Sequence, residues 1–182
     1  IMVDARSDDS TAEIMKSYTQ DKRFVFYSFD GVSVSESRNY ALTLAKGKYV
    51  SFCDSNVIFT KNLLREMYET AREKDADLCV SPMASSDIYG KHEFTSSSIL
   101  SKERVTDKFD INLIWNPAVT NKIFKREKIE AVSASFSPYG KAREAAFSIP
   151  FALASNIIVS CSKSSVVYID PVKNEGVSEF PI

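Results

Sequence analysis

The chain of 182 residues carries 23 basic and 24 acidic side chains, which gives a formal net charge of −1, and 44% of its residues are apolar. A chain of this length and apolar content can bury its own core, so it is not of the intrinsically disordered class. The balanced charge argues against a general nucleic-acid binder, which carries a basic excess. No run of about 18 apolar residues occurs, so no transmembrane segment is predicted.

The first half of the chain alternates strand and helix patterns. Residues 1–3 are strand-like and end at Asp4, and the spacing of Ser10 and Glu13 predicts a capping box at the start of a helix. Residues 23–29 and 77–83 have the aromatic and β-branched composition of strands. Between them, Thr60 is predicted to cap a helix. This alternation predicts a mainly parallel sheet with helices on its faces.

The central stretch, residues 33–56, holds the clearest local signals. Ser33 and Glu36 have capping-box spacing, and Gly47 predicts the turn after the helix. The segment "YVSFC" then predicts a buried strand. Asp54-Ser55-Asn56 follows at its carboxyl end, where open α/β sheets place their ligands.

The second half is less regular. Residues 84–98 predict a hairpin or a loop, and 125–132 predict a short helix. A further helix over 141–154 is expected to bend or break at Pro150. Residues 156–161 and 165–170 predict strands. The three cysteines, Cys53, Cys79 and Cys161, lack C-x-x-C spacing, so buried free thiols in a reducing compartment are expected.

Three segments resemble family 2 glycosyltransferases with the GT-A fold. "SRNYALTLAKGKYVSFCDSN" resembles the family's Ala-Arg-Asn helix, glycine turn and strand ending in Asp-x-Asp. "VDARSDDSTAEIMKSY" resembles its Val-Asp-Asp-Gly-Ser-Thr-Asp segment, and "NKIFKREKIE" its Asn-Lys-Leu-Phe-Arg-Arg-Glu segment. The resemblance implies an α/β, GT-A (Rossmann-like) fold in a single domain over residues 1–182. It also implies that the family's first strand would precede residue 1.

The resemblance further implies a function. We expect an inverting hexosyltransferase that moves a sugar from a nucleotide-sugar donor, with a UDP-sugar favoured, to a saccharide or lipid-linked acceptor. The implied setting is bacterial-type polysaccharide or cell-envelope glycan synthesis. The expected location is cytoplasmic, with peripheral contact at the inner face of a membrane and no nucleic-acid partner.

Asp54 and Asn56 match the Asp-x-Asp positions, where the resemblance implies binding of Mn²⁺ or Mg²⁺ and of the donor. Oxygen ligands suit such a hard cation, which acts as a Lewis acid on the leaving diphosphate. Asn56 brings an amide in place of a carboxylate, so weaker metal affinity is expected. The alternative is a strand-end turn in which these side chains cap backbone groups.

Asp4 and Arg38 are the other residues that the resemblance assigns to nucleotide-sugar binding. A guanidinium stays charged and can hydrogen-bond a diphosphate in a bidentate fork. Ala5 and Arg6 stand where the family has Asp and Gly, so one carboxylate is missing. The alternatives are a polar residue that closes a strand and a surface arginine on an amphipathic helix.

Glu144 is the candidate catalytic residue. Aligning "REAAF" with the family's Glu-Asp-x-x-Phe places Glu144 at the Asp that deprotonates the acceptor hydroxyl, and Arg143 at the Glu. A glutamate can act as a base, but its extra methylene shifts the carboxylate. The alternative is a solvated helix charge paired with Lys141 or Arg143.

Two rival functions remain open. Four departures from the family pattern, at Ala5, Arg6, Asn56 and Arg143-Glu144, favour a catalytically degenerate GT-A module that serves as a binding or assembly domain. A nucleotidyltransferase is a third class, but no glycine-rich phosphate loop occurs. We expect little transferase activity, limited more by Asn56 than by Glu144. A basic cluster is interpreted mainly as a solvated face near an anionic acceptor or membrane: Lys122, Lys125, Arg126 and Lys128.

Overall fold

The structure is a computed structural model, and it describes residues 1–86, 92–94, 104–106, 116–139, 142–161 and 164–169. Within these ranges the helices are α1 (Thr11–Ser17), α2 (Val34–Leu44), α3 (Leu63–Glu73), α4 (Arg126–Ala131) and α5 (Arg143–Ala154). The strands are β1 (Met2–Asp4), β2 (Phe26–Ser28), β3 (Tyr49–Ser51), β4 (Val57–Phe59), β5 (Leu78–Val80), β6 (Met83–Ser86), β7 (His92–Phe94), β8 (Arg104–Thr106), β9 (Lys122–Lys125), β10 (Ile158–Ser160) and β11 (Val166–Ile169). None of the described helices is long and apolar enough to cross a membrane.

The described strands form three sheets, in the orders β1-β2, β3-β9-β5-β10-β8 and β4-β11-β6-β7. Their directions are mixed rather than mainly parallel: β1–β2, β5–β10 and β6–β11 are parallel, whereas β9 runs antiparallel to both of its neighbours. β3 does not share a sheet with β1 and β2, contrary to the β/α alternation. It pairs instead with β9, a strand from late in the chain that lies between β3 and β5. Local sequence patterns do not reveal such a return.

Successive β9 residues point to opposite faces of the five-stranded sheet, which we call the central sheet, and helices pack on both faces. Phe124 packs in a cluster with Phe52, Phe136 and the α5 residues Phe147 and Phe151. Its neighbour Ile123 packs in a second cluster with these buried α3 residues: Leu63, Met67 and Ala71. The rings of Phe136 and Phe147 stack at 4.4 Å. This aromatic layer forms the floor beneath the candidate site.

The helix starts show which capping predictions hold. At α2 the Ser33 hydroxyl accepts from the Glu36 N–H and the Glu36 carboxylate accepts from the Ser33 N–H, which confirms that capping box. The prediction for Ser10 is wrong, because its side chain makes no capping bond and Asp9 accepts the Thr11 N–H instead.

The prediction that Thr60 caps a helix is also wrong. α3 begins at Leu63, after Asn62, and the Thr60 hydroxyl donates to the carbonyl of Ser165. Nor does Pro150 end its helix, since α5 continues to Ala154.

The predicted hairpin and the predicted burial of the cysteines can also be compared with the structure. β6 and β7 pair antiparallel, which confirms the hairpin interpretation, although the turn at 87–91 lies outside the described residues. Cys79 and Cys161 are buried as predicted, but Cys53 is exposed.

Candidate active site

Three of the predicted site residues line one cleft of about 980 Å³ between β1 and β3. Asp4 lies at the end of β1, Arg38 projects from α2, and Asp54 follows β3. Among the described residues, β1 and β3 each lie at the end of their sheet. The cleft brings together residues that are distant in sequence, and its lining is mostly apolar.

Arg38 joins two other candidate residues, and we call Arg38, Asp54 and Glu144 together the Arg38 bridge. The Nη2 atom of Arg38 lies 2.7 Å from both carboxylate oxygens of Asp54. Its Nη1 lies 2.9 Å from Oε1 of Glu144. The Arg38 side chain is only 11% exposed, which rules out the alternative of a surface arginine. The guanidinium thus pairs with two carboxylates at once, one through each Nη atom, by charge-assisted hydrogen bonds.

Arg38 is also held from below by aromatic rings. Its Cζ lies 5.1 Å from the ring centroid of Phe136 and 6.0 Å from that of Phe52, which are cation–π distances. The next residue, Asn39, hydrogen-bonds the backbone of Phe136 through its side chain. Asn39 therefore has the structural role of fixing the ring on which Arg38 rests.

Asp54 and Asn56 lie in a turn that connects β3 to β4. The N–H of Val57 donates to the carbonyl of Asp54, and the N–H of Ile169 donates to the carbonyl of Asn56. This backbone geometry is that of the strand-end turn. The Asp54 carboxylate is nonetheless used in a contact beyond the turn, because it pairs with Arg38.

Asp4 uses its carboxylate within its own loop. It accepts hydrogen bonds from the N–H of Arg6, from both the N–H and hydroxyl of Ser7, and from the hydroxyl of Ser28. The Ser7 hydroxyl makes the largest contribution in lowering the pKa of Asp4. Arg6 adopts a φ of 68°, the left-handed region that favours the glycine found at this position in the resembling family. These contacts match the alternative of a polar residue that closes a strand.

Glu144 lies in the first turn of α5, where a negative charge is favoured by the helix dipole. One carboxylate oxygen meets Arg38, and the other accepts the N–H of Val119 at 3.2 Å. The side chain is 30% exposed, so solvent or a substrate hydroxyl can still reach it. Arg38 and Val119 are therefore partners of Glu144, and Lys141, which the alternative paired with it, lies outside the described residues.

The residues present do not fit a tightly held divalent cation. Asp54 supplies the one carboxylate of its triplet, and Arg38 already contacts both of its oxygens. Asn56 adds only a neutral amide. Across the ranges that the structure describes, no group of three or more His, Cys, Asp or Glu residues could hold a metal ion. Hard cations take about six or more oxygen ligands, so this donor set is weak for Mn²⁺ or Mg²⁺.

The solvated-face interpretation of the basic cluster is wrong for its first two residues. Lys122 is 1% exposed, and Lys125 is 8% exposed and paired with Asp75 and Glu127. Arg126 pairs with Glu130, and Lys128 lies 3.9 Å from Asp77. No local sequence pattern signals the burial of Lys122, because it depends on β9 lying between β3 and β5.

Comparison with known proteins identifies relatives of this architecture. A family model described as Glycosyl transferase family 2 matches residues 1–133. The poly(ribitol-phosphate) beta-N-acetylglucosaminyltransferase TarP of Staphylococcus aureus (strain N315) is 28% identical over 160 residues, which cover 85% of this chain and 48% of TarP. The glycosyltransferase GlyG of Streptococcus pneumoniae serotype 4 is 32% identical over 82 residues, covering 44% of this chain and 27% of GlyG. The chain thus spans about half or less of the length of these relatives.

Solved structures show the same fold. S. aureus TarS 1-349 in complex with UDP-GlcNAc superimposes with a TM-score of 0.76 at 21% identity, over 92% of this chain and 48% of that one. GalNAc-T7 with UDP, GalNAc and Mn²⁺ gives a TM-score of 0.62 at 13% identity, over 97% of this chain and 38% of that one. These likenesses confirm the α/β, GT-A architecture implied by the sequence resemblance.

Proposed function

Because the chain belongs to glycosyltransferase family 2, we propose that it binds a nucleotide-sugar donor in the cleft beside Arg38 and transfers the sugar to a saccharide or lipid-linked acceptor. The proposed setting is envelope glycan synthesis. The observation that carries the proposal is the Arg38 bridge, which joins Asp54 on the cleft wall to Glu144 on α5. Arg38, which lines the cleft, is thereby placed beside a candidate base on α5.

The proposed donor is a UDP-sugar. TarS has been solved with UDP-GlcNAc and with UDP, and TarP is named as an N-acetylglucosaminyltransferase, which supports a donor of this class. The cleft volume of about 980 Å³ lies at the upper end of the range for small-molecule sites. The guanidinium of Arg38 would face the diphosphate, where a planar fork of donors suits phosphate oxygens.

The proposed reaction is a single displacement. The acceptor hydroxyl oxygen attacks the anomeric carbon, and its proton passes to the carboxylate of Glu144. The bond between the anomeric carbon and the phosphate oxygen breaks, and its electron pair leaves with the diphosphate. Arg38 must loosen its contact with Asp54 or Glu144 to meet that developing charge, because both carboxylates occupy it in the structure.

Turnover of UDP-GlcNAc by the full chain tests this assignment. Glu144→Gln keeps the shape of the side chain and removes the base, so we expect the rate of donor turnover to fall by about 10² to 10⁴. Glu127→Gln is the matched control, because Glu127 is a first-turn helix glutamate of α4 that pairs with Lys125 away from the cleft. Equal rates in the two variants would reject Glu144 as the base.

A second candidate is a module that binds nucleotides without transferring sugar. The structure offers a specific reason for it: Asp4 and Asp54 both have their carboxylates occupied by donors of the chain itself. Binding of UDP without turnover of any donor, in a panel of UDP-sugars, would favour this module over the enzyme.

A further inference from the structure

Lys122 is a buried cation to which the proposed reaction gives no role. It begins β9, an interior strand of the five-stranded sheet, and the residue is 1% exposed. Burying an ammonium is costly unless acceptors surround it. Here three acceptors do so: the carbonyl of Asn116 at 2.9 Å, the carbonyl of Ala118 at 2.6 Å and Oδ1 of Asn121 at 2.9 Å. Every proton of the ammonium therefore has an acceptor.

These contacts wrap the preceding segment, residues 116–121, around the ammonium. Hydrogen bonds to neighbouring elements also hold the segment near each of its ends. Ser148 of α5 donates its hydroxyl to the carbonyl of Pro117, and Asn121 donates its amide to the carbonyl of Ser81. Lys122 supplies the contacts at its centre, since two of the carbonyls that it binds flank Pro117.

The wrapped segment presents one backbone donor to the candidate base. Val119, directly after Ala118, donates its N–H to Oε2 of Glu144, whose Oε1 meets Arg38. Glu144 is thus oriented from two sides, by Arg38 and by Val119. The Ala118 carbonyl and the Val119 N–H belong to the same peptide group, so the lysine that binds the carbonyl also sets the direction of the N–H.

We propose that Lys122 is a positioning residue, whose ammonium fixes the peptide group between Ala118 and Val119 so that its N–H holds Glu144 against Arg38. This inference rests on the proposed function only for the consequence on turnover. The structural part, from Lys122 to Glu144, stands on the contacts alone.

Lys122→Met tests the proposal, because methionine fills a similar volume and donates no hydrogen bond. Lys125→Met is the matched control, since Lys125 ends the same strand and its ammonium pairs with Asp75 and Glu127 instead. The first readout is amide hydrogen exchange in the full chain below pH 7, where the Lys122 side chain is an ammonium because its pKa is about 7. We expect the Val119 N–H to exchange at least about 10-fold faster in Lys122→Met, with Val159 in β10 unchanged, and no such change in Lys125→Met.

The second readout is kinetic. A misplaced base lowers the chemical step without weakening donor binding, so kcat for UDP-GlcNAc should fall by about 10-fold while KM stays the same. In a Glu144→Gln background the same Lys122→Met change should have no further effect. If the chain turns over no donor at all, the proposed function fails, and the exchange measurement still decides the role of Lys122.

Unchanged Val119 exchange, or a rise of equal size at Val119 and Val159, would overturn the proposal by showing either no effect or general destabilisation. The unmutated chain offers a test that needs no variant. The Nζ protons of Lys122 should exchange with solvent at least about 10-fold more slowly than those of exposed Lys16. Equal rates would show that the ammonium is not held and would also overturn the proposal.

Discussion

The side-chain amide of Asn39 and the backbone of Phe136 exchange two hydrogen bonds, with Nδ2 donating to the carbonyl at 2.9 Å and Oδ1 accepting the N–H at 2.8 Å. This pair links α2 to a segment 97 residues away. It holds in place the backbone of Phe136, whose ring lies beneath the Arg38 guanidinium.

Removing this amide should destabilise the fold. Asn39→Ala leaves both backbone groups of Phe136 without their partner, so we expect the free energy of unfolding to drop by about 1 to 3 kcal/mol in urea titrations. Asn156→Ala, at an exposed loop position, should stay within about 0.5 kcal/mol. Similar values for the two variants would show that the Asn39 contact contributes nothing to stability.

Arg6→Gly should stabilise the chain. Arg6 has a φ of 68°, which is strained for a residue with a Cβ atom, and glycine adopts it freely. We expect a gain of about 1 kcal/mol in the free energy of unfolding. Arg6→Ala is the control, because it also removes the exposed ion pair with Asp30 but keeps the Cβ. A gain of equal size in both variants would assign the effect to loss of the Arg6 side chain instead of the backbone.

Stability should depend on pH through Lys122. Burial lowers the pKa of Lys122 to about 7 from its usual 10.5, and the negative charge of Glu144 opposes the shift. Between these values the unfolded chain binds one more proton than the folded chain, so the free energy of unfolding rises with pH in this window. Below about pH 7 both states are protonated and the contribution is flat.

The difference in unfolding free energy between wild type and Lys122→Met should therefore rise by about 1.4 kcal/mol per pH unit from pH 7 to pH 10. Urea titrations at several pH values measure it. Lys125→Met provides the contrast, because Glu127 and Asp75 raise the pKa of Lys125, so its contribution stays constant across this window. A difference that does not change with pH for Lys122→Met would show that the lysine is not desolvated in the folded state.

Asn56→Asp should raise the affinity for Mn²⁺. The change adds a second carboxylate to a turn that now offers one carboxylate and one amide, and charge is what a divalent cation requires. We expect at least about a tenfold gain by calorimetry, with Asn56→Ala showing none. If Asn56→Asp leaves Mn²⁺ binding unchanged, the Asp54-Ser55-Asn56 triplet acts only as a strand-end turn.

Features that depend on short sequence spans could be predicted from the sequence. The capping box at Ser33, the strand before Asp54 and the turn after it each depend on a few adjacent residues, and the structure contains all three. The family resemblance added the architecture. It also selected Arg38, Asp54 and Glu144, which prove to be in contact.

Features that depend on long-range packing could not be predicted. The antiparallel insertion of β9 between β3 and β5 determines that Lys122 is buried, and its charge alone suggested a solvated face. The pairing of Arg38 with Glu144 depends on how α5 packs over the aromatic layer. Local periodicity carries no information about either arrangement.

Binding of UDP to the full chain, measured by calorimetry, tests the central claim that Arg38 serves a donor cleft. Loss of one charge-assisted hydrogen-bonding group costs about 1.5 to 3 kcal/mol, so Arg38→Met should weaken UDP binding by at least about tenfold. Glu144→Gln should bind UDP at least as tightly as wild type, because it frees Arg38 from one carboxylate. Arg65→Met, at an exposed position of α3 outside the cleft lining, should match wild type. Equal UDP affinity in Arg38→Met and Arg65→Met, or no binding by the unmutated chain, would contradict the account.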